Sequence, residues 1–91
     1  MGIVNFSVTV TGRVQGVSFR YYACEQAIKF GLTGWVKNNP DGSISLEIEG
    51  QKENVENMLD WLHHGPPYAS VTQVLISPGK VKKYSVFEIT S

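Results

Sequence analysis

"VNFSVTVTGRVQGVSFRYYACEQAIKF", residues 4–30, changes texture twice. Over residues 4–11, Val4, Phe6, Val8 and Val10 alternate with Asn5, Ser7, Thr9 and Thr11, the period-2 pattern of a strand with one buried face. Later, Phe19, Ala23, Ala27 and Phe30 recur at helical spacing up to Gly31, which predicts an amphipathic helix beginning near Ser18 or Phe19 and closed by a glycine cap. Between them lies a glycine-bearing loop.

Downstream, "TGWVKN" (residues 33–38) and "SISLEIEG" (residues 43–50) flank "NPDG". Pro40 pre-sets φ and Asp41-Gly42 supply turn chemistry, so the pair reads as a hairpin. Ile44, Leu46 and Ile48 then point inward, and Ser45, Glu47 and Glu49 outward. Val55, Met58, Leu59 and Leu62 define a second helix that Gly65-Pro66-Pro67 stops. "SVTQVLIS" (70–77) and "SVFEIT" (85–90) read as strands, the latter on an edge, joined by a basic "GKVKKY" connection.

This β-α-β-β-α-β order with a short final strand, taken with right-handed crossovers, predicts one ferredoxin-like α/β sandwich (α+β) over residues 1–91: an antiparallel sheet with both helices on one face. The first two strands would run the same way with the third between them. Their C-terminal ends would share a sheet edge roughly 9–10 Å apart. The first loop and the end of the second strand could then reach one ligand.

Composition narrows the functional classes. Lys and Arg balance Asp and Glu at eight each, which argues against a protein held to nucleic acid by bulk charge. Any anion must be held locally, and no acid precedes Glu25. No apolar run is long enough for a membrane span. The N-terminus lacks the pattern of an export signal, and Phe6 stands where a myristoylation signal has Ser or Thr. Cys24 is the one cysteine, so neither an internal disulfide nor a thiol zinc site is available. A soluble, cytoplasmic, monomeric protein fits these features.

Both arginines, Arg13 and Arg20, fall in the loop segment "GRVQGVSFR" at residues 12–20. A helix start leaves backbone N–H groups unpaired, and glycines let the preceding chain curl so that several converge on an anion. The helix dipole disfavours a cation there by a few tenths to about 1 kcal/mol, yet Arg20 sits in the first turn. A bound dianion would reverse that sign, and a guanidinium fork fits two phosphoryl oxygens. Arg13, at the loop's start, reads as solvated. Residues alone leave two readings open, an anion cradle and an ordinary strand-to-helix loop with a surface arginine.

"GRVQGVSFR" and "GWVKNNPDG" (residues 34–42) together resemble the two signature stretches of the acylphosphatase family. The likeness includes the Gln15-Gly16-Val17 core, the Phe19-Arg20 pair and the spacing from Asn38 to Asp41-Gly42. It continues through "GPPYASVTQV" before the fourth strand. The resemblance implies the same ferredoxin-like fold in a free-standing enzyme that hydrolyses acyl phosphates to a carboxylate and inorganic phosphate, with no cofactor and no metal. It also implies that Arg20 and the backbone amides of Gln15, Gly16, Val17, Ser18 and Phe19 bind the phosphoryl group, while Asn38 orients the attacking water. Ser18 is then a loop or capping residue, not a nucleophile.

The chemistry is compatible with so sparse a site, because a carboxylate leaving group of pKa about 4 departs at neutral pH without a general acid. Taken alone, Asn38 reads as a turn residue before Asn39-Pro40, and the resemblance reverses that reading. A noncatalytic phosphate-sensing module is the competing class. An RNA-binding sandwich is disfavoured because "SISLEIEG" is acidic and lacks aromatics.

His63-His64 reads as a favourable helix C-terminal pair, since adjacent helical positions do not face one metal. Cys24 reads as helix packing. Lys80, Lys82 and Lys83 read as a solvated loop, and Trp35 and Trp61 as parts of the sheet and helix surfaces.

Overall fold

The alternation at residues 4–11 belongs to an eleven-residue strand, β1 (Ile3–Arg13), in a computed structural model that describes residues 2–91. There follow α1 (Phe19–Lys29), β2 (Thr33–Asn38), β3 (Ile44–Gln51), α2 (Lys52–His64), β4 (Ser70–Gly79) and β5 (Phe87–Ile89). The strands order as β4-β1-β3-β2-β5 in one sheet. β1 lies between β3 and β4, antiparallel to both, and β2 pairs antiparallel with β3. The predicted ferredoxin-like sandwich is therefore present, with β1 and β2 running the same way on either side of β3.

One expectation needs correcting, because the sheet is mixed. β5 pairs parallel to β2, Gly34 opposite Phe87 and Val36 opposite Ile89. β4 occupies one edge and β5 the other, so residues 80–86 cross the helix-free face between them. Having crossed, the chain turns back along the direction of β2.

The inward face of the sheet supplies Val8, Val10, Val36, Ile44, Leu46 and Ile48, all buried. Against them pack Phe19, Ala23 and Ala27 from α1 and Val55, Met58 and Leu62 from α2. A large apolar side chain taken fully out of water contributes about 1.5–3 kcal/mol. Neither helix has a side-chain N-cap bond, which would add about 1 kcal/mol, so burial rather than capping fixes both helices. The C-terminus of α1 closes as a Schellman motif, in which Gly31 N–H donates to the Ile28 carbonyl and Leu32 N–H to that of Ala27.

Glu47 and Glu49 point outward, as their alternation requires, yet they are only 5% and 3% exposed. Residues 80–86 form a strap over them. Lys82 N–H and Tyr84 N–H donate to the Glu49 carboxylate at 2.8 and 3.2 Å. The Tyr84 hydroxyl donates to Glu47 at 2.8 Å, and the Lys82 ammonium pairs with the same carboxylate. From β1 beneath, Asn5 Nδ2 donates to both glutamates at 2.9 Å. Lys80 and Lys83 are exposed as expected. Lys82 is no mere solvated loop residue: its backbone and side chain both anchor the strap.

Candidate active site

Because β1 and β2 run the same way, the end of β1, the residues that lead into α1 and the end of β2 meet at one edge of the sheet. There they enclose a hollow of about 260 Å³. Gln15, Gly16, Ser18, Phe19, Arg20 and Asn38, all singled out from sequence, line it. Val17, singled out with them, is not part of this lining; its side chain is half-buried against the core. Val14 and Tyr21 complete the wall.

The loop is curled by Gly16 at φ 76° and Ser18 at φ 62°, two left-handed residues within three positions. Ser18 is the N-cap residue of α1, and its hydroxyl makes no capping bond. The first backbone bond onto Ser18 comes from Tyr22 N–H at 3.2 Å. The N–H groups of Phe19, Arg20 and Tyr21 precede it and are free of that ladder. No acidic residue stands in this first turn. Among the described residues the recorded ion pair is Lys82 with Glu47, so the half-buried Arg20 guanidinium has no carboxylate partner. Helix dipole and guanidinium together give the hollow a positive character.

Asn38 closes the opposite wall as the last residue of β2. Its Oδ1 is buried and accepts no hydrogen bond. The turn that follows is tightly tied. Asp41 Oδ1 accepts from Ser43 N–H at 2.9 Å and from the Ser43 hydroxyl at 2.6 Å, and these bonds hold its carboxyl below the ordinary aspartate value. Asn39 N–H donates to the Ser43 carbonyl at 2.8 Å. The Asn39 side chain donates to the hydroxyls of Ser43 and Ser45 at 2.9 and 2.7 Å. Gln15 joins the two walls: its Nε2 donates to the carbonyls of Asn39 and Ser43 at 2.8 and 2.9 Å.

Sequence reasoning considered only the backbone of Gln15 and overlooked Val14 and Tyr21. Tyr21 is 70% exposed on α1, and the one signal for it was an aromatic residue directly after Arg20.

The remaining candidates lie elsewhere. Arg13 is exposed at the end of β1, opposite Ser70. Cys24 is half-buried, its Sγ donating to the Phe87 carbonyl at 3.8 Å, and burial pushes its pKa up, away from thiolate reactivity. His63 and His64 bond their own helix, at the carbonyls of Leu59 and Asp60, 2.8 and 3.1 Å away. Among the described residues no three His, Cys, Asp or Glu side chains gather where they could hold a metal. Trp61 packs on Phe19 with ring centroids 5.7 Å apart. Trp35 lies on the outer sheet surface beneath Lys37, whose Nζ is 5.5 Å from the ring centre.

Known proteins resemble this chain over most of its length. The family model described as Acylphosphatase matches residues 6–89. The chain is 51% identical over 72 residues to an acylphosphatase of Nocardioides sp., covering 79% of this chain and 73% of that one. It is 44% identical over 87 residues to an acylphosphatase of Trichormus variabilis, covering 96% and 86%. Among solved structures it superposes on an acylphosphatase from Coxiella burnetii with a TM-score of 0.94 at 38% identity, covering 97% of this chain and 93% of that one.

Proposed function

This chain belongs to the acylphosphatase family, and from that premise we propose how its residues hydrolyse the carboxyl-phosphate bond of an acyl phosphate. The observation that carries the reading is convergence: Arg20 at the start of α1 and Asn38 at the end of β2 border the same hollow. The phosphoryl group sits in the curled loop, held by the backbone amides of Gln15 to Phe19 and by the Arg20 fork. Asn38 borders the hollow, and its side-chain amide carries both a donor and an acceptor, enough to orient a water in line with the scissile P–O bond.

The water oxygen bonds to phosphorus as the bond from phosphorus to the acyl oxygen breaks, and the electron pair leaves with the carboxylate. Asn38 is too weak a base to keep the water's proton, which ends on the phosphate product. Charge spreads over the phosphoryl oxygens in the transition state, where donors already in place stabilise it without reorganising. Positioning and electrostatics suffice because the leaving carboxylate needs no proton.

Arg20 and the amides cover the phosphoryl end, so the reaction needs no metal. The same reading makes the protein a cytoplasmic monomer that acts on a small molecule. Zero net charge supports the absence of a nucleic-acid partner. No helix among the described residues is long and apolar enough to cross a membrane.

Hydrolysis of benzoyl phosphate, followed by ultraviolet absorbance with a chelator present, tests the proposal. Turnover by the native chain and none by Arg20→Ala is the expected result. A folded native chain with no rate above buffer would leave only a phosphate-binding module.

A further inference from the structure

The phosphate loop and Asn38 reach the hollow from strands that are not neighbours, since β3 lies between β1 and β2. β3 ladders with both, Val10 and Asn38 each lying opposite Ile44, but residues 14–18 lie beyond every ladder, so the gap between the bound phosphorus and the water that Asn38 would hold depends on the loop's own ties. That gap matters, because a misplacement of about 1 Å can cost on the order of 100-fold in rate. The direct tie is one side chain. Gln15 extends from the loop and donates from Nε2 to the carbonyls of Asn39 and Ser43 at 2.8 and 2.9 Å.

The hydrogen-bond inventory balances. An amide nitrogen has two N–H donors and meets two acceptors. The Asn39 carbonyl also accepts from Gly42 N–H at 3.2 Å, and the Ser43 carbonyl from Asn39 N–H at 2.8 Å; two lone pairs on each oxygen allow this. Asn39 directly follows Asn38, and the Asp41 and Asn39 side chains stiffen the turn. The Gln15 amide thus bonds a rigid turn, not a loose one.

We propose that Gln15 is a positioning residue for hydrolysis: its side-chain amide sets the separation between the phosphate loop and Asn38, so it acts on turnover through Asn38, while its backbone serves the phosphoryl site. The proposal rests on the acylphosphatase reading of the hollow. Gln15→Met keeps the length and removes both donors. The experiment measures benzoyl phosphate turnover and inhibition by inorganic phosphate for the native chain, Gln15→Met, Asn38→Ala and the double variant, with circular dichroism to establish folding.

In Gln15→Met, kcat falls by about 10-fold or more and the inhibition constant for phosphate stays within about threefold. The double variant is no slower than Asn38→Ala, because a residue acting through Asn38 has nothing left to position. Gln15→Asn, whose shorter reach cannot span both carbonyls, gives the same pattern and serves if the methionine variant does not fold. A turnover within twofold of native, a parallel loss of phosphate affinity, or losses that multiply in the double variant would overturn the proposal. An inactive native chain would overturn the acylphosphatase reading and this inference with it; an active native chain with an unaffected Gln15→Met overturns this inference alone.

Discussion

A buried amide oxygen without a partner is uncommon, and the desolvation it suffers, about 1–3 kcal/mol, calls for a reason. Asn5 Oδ1 and Asn38 Oδ1 are both of this kind, but of the two only Asn38 borders the hollow, and its proposed role in hydrolysis separates its behaviour from that of Arg20. Asn38→Ala is expected to lower kcat on the order of 100-fold while inorganic phosphate still binds by calorimetry; Arg20→Ala is expected to lose both. Equal loss of binding in the two variants would rule out the water-orienting role of Asn38. Arg20→Lys keeps the charge without the fork and falls between native and alanine in phosphate affinity. Arg20 was legible in sequence because an arginine in the first turn of a helix, with no acid nearby, violates a local electrostatic preference. The Gln15 clamp was not: its acceptors, Asn39 and Ser43, lie 24 and 28 residues away, and only the folded sheet brings them within reach.

At the level of strands and helices, the β1–β4 seam is most demanding at Gly12. The register shifts between Thr11 and Gly12, φ there is 124°, and an added Cβ would run into the Ser70 carbonyl. Gly12→Ala is expected to cost about 2 kcal/mol or more, seen as a lower urea midpoint with an unchanged slope; an unshifted midpoint would mean the seam can open to admit a methyl group. Periodicity made β1, both helices and the β2–β3 hairpin readable, since each buries one face against the core. It could not reveal that β5 runs parallel to β2, because alternation carries neither direction nor partner. Glu47 and Glu49 point outward as the alternation predicts, yet the strap buries them. A period-2 pattern says which face a side chain takes and nothing of what later chain crosses that face.

Across the whole molecule, that crossing couples stability to pH. Burial alone would raise the pKa of Glu47 and Glu49, but the bonds from Lys82, Asn5, Tyr84 and the strap backbone outweigh it, so both fall below the ordinary 4.5. Their stabilising contribution is therefore complete above pH 4.5 and fades as pH drops through the lowered values. Lys82 shifts the opposite way, raised above 10.5 chiefly by its bond to Glu47, so its share persists below that pH and disappears on the alkaline side. The melting temperature should fall on acidification, and more gently in Glu47→Gln/Glu49→Gln; parallel curves would mean that the strap carries no share of acid sensitivity. Tyr84→Phe removes the hydroxyl between Trp35 and Glu47 and is expected to cost about 1–3 kcal/mol at neutral pH by urea denaturation.

The β1–β4 pairing has a kinetic consequence as well. Asn5 lies opposite Gly79 and Arg13 opposite Ser70, so the strand that leads into the curled loop is bordered on one side by residues more than half the chain away. A long loop must close before that ladder returns any free energy, which places the chain with mixed α/β domains, slower to fold than helical bundles. Catalytic competence after dilution from denaturant should then return with the closure of β4 onto β1, later than the helical signal and in step with burial of the core.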